Sequence, residues 1–352
     1  MSIKKIILTG GGTGGSVTPL LALSSDIKAK GWKLEWIGTY KGLEKDIVTK
    51  ENIPFHAISS GKFRRYFSLQ NIIDPFFILV GFFQSLSLLS RLQADLVMSA
   101  GGFVSVPVVF AAWILRIPVI IHQQDIKPGL ANRIMSVFAS AITVTFEKSL
   151  EDYKQKAVWI GNPIRQEFIK VLNSTIEPQS SLPRLLILGG GTGAEGLNEL
   201  VYASLSELTQ HFVVVHITGN KVSTETKVSD HNYQAHVFLQ VGEMAEVMKQ
   251  ASIVVTRAGL GTLTELSFLS KPTIIIPMPN SHQEDNATYF QEKNAAVVLS
   301  QPSSTPQEFI DTIIKLKQDT NRLTQLGQTI HSVIKPGAEE AIIKLMHSTI
   351  EK

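Results

Sequence analysis

Three glycine-rich segments carry most of the chemistry this sequence can offer. Gly-Gly-Gly-Thr-Gly stands at residues 10–14 and again at 189–193, about half a chain apart. Each copy follows a short apolar run, residues 5–8 and 184–188, and precedes a stretch with helical spacing. A strand that ends in glycines and opens a helix lets backbone N–H groups close on an anion at the positive end of the helix dipole. In the second copy Thr192, beside Gly191, adds a hydroxyl that can donate to a phosphate. The third segment is Thr-Arg-Ala-Gly-Leu-Gly-Thr-Leu-Thr-Glu-Leu at 256–266, after the apolar run 253–255. Its backbone can hold a diphosphate without a metal. Glu265 can accept from both hydroxyls of a ribose. Thr262 and Glu265 also have the spacing of a capping box, which needs no ligand. In the polar loop 279–286, Gln283 and Asn286 lie one helical turn apart. They can offer amides to sugar hydroxyls or simply start a helix.

Groups able to move a proton are fewer. His-Gln-Gln-Asp at 122–125 follows the apolar run 119–121. Ligands sit at strand ends in open α/β sheets. Either His122 or Asp125 can serve there as a general base. The plainer alternatives are a structural histidine and an aspartate that satisfies backbone donors ahead of a helix near Pro128. A dinucleotide reading of the first glycine loop needs an acidic residue at the end of the second strand. Glu35 lies inside that strand instead, so the reading is weak. No Gly-Lys-Ser/Thr follows either loop, which excludes a Walker site. A tight turn without a ligand remains the alternative.

The elements that must position these loops alternate along the chain. Apolar runs at 6–8, 34–38, 96–99 and 119–122, and at 185–188, 213–218, 237–239, 253–256, 273–277 and 296–299, are separated by helical stretches such as 20–30 and 128–139. Continuous apolar strands separated by helices predict α/β domains with parallel sheets covered on both faces. Two glycine-loop units suggest two Rossmann-like domains facing each other across a cleft, and hence two phosphorylated substrates. The best boundary is near residues 161–165, and 305–352 reads as helical with a break at 335–337.

The composition narrows the class. The chain has 352 residues, 44% of them hydrophobic and 18% charged, which suits two globular domains. A formal net charge of only +3 does not by itself imply a nucleic-acid partner, and none is expected. Without cysteine there is no disulfide or thiolate metal site. The apolar start is too short for a signal peptide. No apolar run reaches the ~18 residues of a membrane span; the nearest is 103–115, so no transmembrane helix is expected. Lys62, Phe63, Arg64 and Arg65 mix cations with aromatics ahead of the apolar stretch 72–83, which includes Phe76 and Phe77. Such a patch suits the interface of an anionic membrane. The alternative is a buried helix with a basic loop beside it.

These motifs, together with Gly-Gly-Phe-Val-Ser at 101–105 and Gly-Asn-Pro-Ile-Arg at 161–165, stand in the order that resembles the MurG family of glycosyltransferases. The likeness runs from residue 1 to past 340. It implies a GT-B fold, with domains 1–162 and 163–337 and a last helix, 338–352, that crosses back to the first. It implies inverting, metal-independent transfer of N-acetylglucosamine from UDP to lipid I, forming lipid II for peptidoglycan. No cofactor is implied. Carried over, Thr13, Gly14, Gly15 and Asp125 approach the donor sugar. Arg165, Gly191, Thr192, Leu260, Gly261, Thr262, Leu263 and Thr264 serve the donor phosphates or sugar, with Glu265 on the ribose. Val241 pairs with uracil through its backbone, and Gln283 and Asn286 read the sugar. Gly12, Ser16, Gly101 and Gly102 face the acceptor diphosphate. The protein should lie peripherally on the cytoplasmic face of the cell membrane, against its anionic lipids.

Three departures matter. Ser16 stands where the family usually has His. His-Gln-Gln-Asp replaces His-Glu-Gln-Asn. Gly191 stands in place of Ser. With the imidazole gone from position 16, the carboxylate at 125 becomes the candidate base and His122 its competitor. Two rivals use the same scaffold: a UDP-N-acetylglucosamine 2-epimerase, and a relative that binds the nucleotide sugar without catalysis.

Overall fold

The structure, a computed structural model, describes residues 3–12, 14–61, 70–174, 181–189, 194–219 and 230–351. The chain divides into two compact units, Met1–Arg165 with Lys335–Lys352, and Gln166–Ile334. The first holds a sheet of seven strands: β1 (Lys5–Thr9), β2 (Lys33–Thr39), β3 (Phe55–Ile58), β4 (Leu96–Ser99), β5 (Val119–Gln123), β6 (Ala141–Val144) and β7 (Ala157–Trp159). Their order is β3-β2-β1-β4-β5-β6-β7, and every pairing is parallel. Both faces of this sheet are covered, so its strands are apolar at successive positions. Ile6 and Leu8 pack on one side with Leu20 and Trp36, whereas Ile7 packs on the other with Leu89 and Val108. The last helix, Ala338–Ile350, buries Ile342, Ile343 and Met346 in the same cluster as Ile6 and Leu8.

The second unit repeats the plan with six strands: β8 (Arg184–Leu188), β9 (Val213–Ile217), β10 (Tyr233–His236), β11 (Ile253–Thr256), β12 (Thr273–Ile275) and β13 (Val297–Val298). The order is β10-β9-β8-β11-β12-β13, again parallel throughout. In each sheet the direction of winding reverses once, between β1 and β4 and between β8 and β11. The crevice outside the carboxyl ends at such a reversal is where open α/β sheets take ligands.

Four details differ from the sequence reading. Residues 163–165 belong with the first unit, because the Ile164 N–H donates to Glu339 Oε1 at 2.5 Å. Lys335 joins the same unit, with its ammonium donating to Trp159 O at 3.2 Å. The strand expected at 237–239 is instead Tyr233–His236; as an edge strand it is largely polar, and Phe238 is exposed. The helical stretch 20–30 is two short helices, Thr18–Ala22 and Ser24–Ala29.

The longest apolar helix is Gln70–Leu92, not the stretch around 103–115. By length and composition, Asp74–Leu92 is enough to cross a membrane. Asp74, Gln84 and the serines at 85, 87 and 90 break its apolar run, which hid its length in the sequence. The helix links β3 to β4 of one sheet, and Ser85 and Leu89 are buried against that unit. A crossover between strands of one sheet has no room to traverse a bilayer.

Candidate functional site

In the first unit the loops after β1, β4 and β5 meet beside the reversal point. Gly102, at φ +89°, backs onto Gly11 so closely that a Cβ would come within 2.4 Å of the Gly11 carbonyl oxygen. Gln124 Nε2 donates to Gly15 O at 2.8 Å, tying the turn after β5 to the first glycine loop. The loop is also held from beneath by Glu44, which is buried. This carboxylate accepts from Gly12 N–H at 3.2 Å, from Thr39 N–H at 2.9 Å and from the Thr39 hydroxyl at 2.5 Å. One amide that sequence reasoning offered to an external anion is therefore turned onto an internal one. Ser16 is buried, and its hydroxyl donates to Gly11 O at 3.2 Å. Asp125 is half-buried in the turn after β5.

His122 ends differently from the proton carrier the sequence allowed. It is fully buried, with Nε2 2.7 Å from Asn162 Oδ1 and Nδ1 2.9 Å from Thr143 Oγ1. Burial lowers its pKa to about 4, against the opposing pull of the Asn162 bond. The imidazole is neutral and both nitrogens are engaged. It braces β5 against β6 and residue 162.

In the second unit the loop after β11 opens the helix Leu260–Phe268, whose N-cap is Gly259 with no side-chain cap. Thr262 is thus already inside the first turn, and Glu265 lies deeper still. The capping box that the Thr262–Glu265 spacing allowed does not form. Glu265 is nonetheless buried, which a carboxylate tolerates only with polar partners. A Cβ on Gly259, the N-cap, would meet nothing within 4 Å, so the space beside this residue is open. The first amides of this helix have no partner within it. Arg257 is committed elsewhere: it donates to Ile276 O at 3.0 Å and Pro277 O at 3.1 Å, and to Gln301 Oε1.

Two further helices begin on the same edge of that sheet. Val241 is the first residue of Val241–Gln250, after a capping box in which Gln240 N–H donates to Glu243 Oε2 at 2.8 Å. Gln283 is the first residue of Gln283–Glu292. Its Oε1 accepts from Met278 N–H at 3.0 Å, which aims the amide and leaves its N–H groups as donors. Asn286, three residues on, is fully buried and donates to Ala258 O at 3.2 Å. It anchors the 257–259 turn, so the sugar-reading role expected of it does not fit its position.

Comparison with known proteins fixes the family. The glycosyltransferase family 28 N-terminal domain matches residues 6–144, and the C-terminal domain of that family matches 184–340. The UDP-N-acetylglucosamine--N-acetylmuramyl-(pentapeptide) pyrophosphoryl-undecaprenol N-acetylglucosamine transferase of Clostridium kluyveri is 39% identical over 349 residues, 97% of this chain and 98% of that one. The crystal structure of MurG from Acinetobacter baumannii superposes with a TM-score of 0.76 at 25% identity, over 98% of this chain and 99% of the other. This chain belongs to the MurG family. Its two parallel-sheet units are those of the GT-B fold. The UDP-GlcNAc 2-epimerase of Neisseria meningitidis, solved with UDP-GlcNAc, has a TM-score of 0.72 at 14% identity, covering 98% of this chain and all of the other. That likeness shows the shared fold alone.

Within the MurG frame, the structure gathers the sequence candidates into two groups. Gly12, Gly14, Gly15, Ser16, Gly101, Gly102 and Asp125 lie at the carboxyl edge of the first sheet. Residues 260–265, Val241 and Gln283 lie at that of the second. Arg165 is half-buried at the end of the first unit. Thr13, Gly191, Thr192, Lys62, Phe63, Arg64 and Arg65 lie outside the described residues. Glu35, considered for a dinucleotide ribose, is paired with His56 Nε2 at 2.6 Å. Sequence reasoning missed Glu44, Gln123 and Asn162. The last two stood inside quoted motifs, but nothing local marked Gln123 as a hydrogen-bond hub or Asn162 as the partner of His122.

Proposed function

We infer that this protein transfers N-acetylglucosamine from UDP-N-acetylglucosamine to lipid I, with inversion at the anomeric carbon. The observation that carries the reading is the near-full-length identity to a transferase named for that reaction. In the reaction the acceptor C4 oxygen bonds to the sugar C1, and the C1–O bond to the β-phosphate breaks. The acceptor proton passes to a base, and UDP leaves with the electron pair. Asp125 is the base in this account: it is the carboxylate of the turn tied to the first glycine loop, and His122 is sealed away. The charge gathering on UDP meets the open N-terminus of Leu260–Phe268, whose fixed amides need no reorganisation as the bond breaks. Glu265 takes the ribose hydroxyls, Val241 reads uracil with its unused N–H, and Gln283 donates to the sugar. Incubating the protein with UDP-N-acetylglucosamine and a lipid I analogue should release UDP only when the acceptor is present. Acceptor-independent loss of the donor would contradict the reading.

The lipid acceptor calls for a membrane face, and one surface of the first unit suits it. Phe76, Phe77 and Phe83 of Gln70–Leu92 are exposed, as is Trp113 of Ser105–Ile114. Aromatic rings join the two helices without a gap: Phe82 lies 5.2 Å from Phe110, which lies 5.7 Å from Trp113 and 5.3 Å from Phe138. Lys156 brings a cation to the rim, where its ammonium binds the carbonyls of Ser136 and Val137. An apolar, aromatic face edged by positive charge seats in the interface of anionic lipid. The protein then works as a peripheral enzyme on the cytoplasmic leaflet.

A further inference from the structure

The carboxylate of Glu44 lies beneath the first glycine loop and takes no part in the mechanism above. It is 1% exposed, in the first turn of the helix Leu43–Lys50 that follows β2. A carboxylate buried so deeply must be met by donors. Its Oε1 takes two from its own turn, the N–H and the hydroxyl of Thr39. These alone would close the turn ahead of the helix. Its Oε2 takes a third from Gly12 N–H, 32 residues away in sequence and 3.2 Å away in space. The surroundings leave room for this reach. A Cβ on Gly11 would come within 2.5 Å of Oε1, and one on Gly42 would overlap the carboxylate outright.

The Gly12 bond has a counterpart at the other end of the same peptide. The Gly11 carbonyl accepts from the Ser16 hydroxyl at 3.2 Å. A peptide unit is planar, so a partner on its N–H and another on its C=O fix the whole plane. The rest of the loop is held in the same style. Gly10 O accepts from Trp36 Nε1 at 3.3 Å, Gly14 O from Thr18 N–H at 3.0 Å, and Gly15 O from Gln124 Nε2 at 2.8 Å. The carbonyls at 10, 11, 14 and 15 are thus all engaged within the protein. A loop that takes an anion needs its carbonyls occupied elsewhere.

We propose that Glu44 is a positioning residue for the acceptor. By setting the plane of the Gly11–Gly12 peptide, it holds the loop after β1 in the shape that receives the acceptor diphosphate. The inference rests on the reading of the protein as a lipid I transferase with that diphosphate at this loop. Glu44 acts through the loop and touches no substrate.

Glu44→Gln tests the one long-range bond. The two donors of Thr39 keep the amide oxygen where Oε1 was. The NH2 group then replaces Oε2 and faces the Gly12 N–H, donor against donor. The substitution also removes a negative charge near an anion site, which by itself would tighten acceptor binding. The proposal predicts the reverse. The KM for a lipid I analogue should rise about tenfold, while the Kd for UDP stays within a factor of about two. Hydrogen exchange, measured without substrates, should quicken in the first glycine loop and hold in the second unit. Glu44→Asp keeps the charge but is one methylene too short to reach Thr39 and Gly12 together. It should act in the same direction, and it serves if the Glu44→Gln protein does not fold. An acceptor KM that falls or holds overturns the proposal, and so does unchanged exchange in the loop. An equal loss of affinity for UDP also overturns it, by assigning Glu44 to the fold at large. If the parent transfers no sugar, the functional reading fails on its own, and the exchange measurement still decides whether Glu44 holds the loop.

Discussion

Glu265 lies too deep in its helix to cap it, yet it is buried, so its carboxylate is kept for something other than the helix start. On this account that is the ribose of the donor. Glu265→Gln preserves shape and weakens a charged acceptor worth roughly 1.5–3 kcal/mol, so the donor KM should rise about tenfold or more. Steady-state kinetics with varied donor decide the point; an unchanged KM with a lower unfolding temperature would assign Glu265 to the fold. Asp125 is tested by Asp125→Asn, which restores the residue usual in the family. As a base it cannot be replaced by an amide, so turnover should drop by ~10²-fold or more while donor affinity holds. Parent-level turnover would remove Asp125 from the mechanism, and with His122 sealed in the core it would point to a base elsewhere on the first unit.

At the scale of elements, helix ends differ in how their unpaired backbone groups are met. Lysines from other elements serve the C-terminal carbonyls of several helices: Lys5 binds Leu92 O at 2.8 Å, Lys249 binds Val171 O at 2.6 Å, and Lys317 binds His211 O at 3.1 Å. Cations there complement the negative end of the dipole. The N-terminus of Leu260–Phe268 has neither a side-chain cap nor an acidic residue in its first turn, which on this account leaves it to the donor diphosphate. The paired helices Gln70–Leu92 and Ser105–Ile114 leave Phe83 and Trp113 exposed, and on this account that face meets lipid. Replacing Phe83 and Trp113 together by Ser should weaken binding to vesicles rich in anionic lipid, by about 1.5–3 kcal/mol for each ring that inserts fully. Binding should also fall as salt is raised. Vesicle co-sedimentation that is indifferent to both changes would move the membrane face elsewhere.

Taken whole, the molecule carries a buried histidine in each sheet. His122 in the first and His216 in the second are both lowered by burial to about 4. The unfolded chain takes up their protons near pH 6.5 while the native chain holds out to about 4, so stability is full above that window and is lost as pH falls through it. Each imidazole contributes about 3 kcal/mol to that loss. Glu339, raised chiefly by burial, acts in the opposite sense. Denaturant midpoints should therefore decline from pH 7 to pH 5, and a flat profile would mean that the two histidines are not neutral in the core. The two-domain α/β plan was legible in the sequence because strands buried on both faces leave unbroken apolar runs ahead of glycine loops. The edge strand Tyr233–His236 was not, since an exposed edge has no such run. The motifs pointed to strand ends, but not to which side chains are consumed internally. His122 and Asn162 meet across 40 residues of sequence, and Glu44 meets Gly12 across 32; no local pattern records such pairs. The central claim is best tested by the anomeric configuration of the product made from UDP-N-acetylglucosamine and a lipid I analogue, read by NMR. The account predicts a lipid-linked disaccharide joined through the acceptor C4 oxygen with the β configuration, inverted from the α-linked donor. An α-linked product, or conversion of the donor alone to UDP-N-acetylmannosamine, would contradict it.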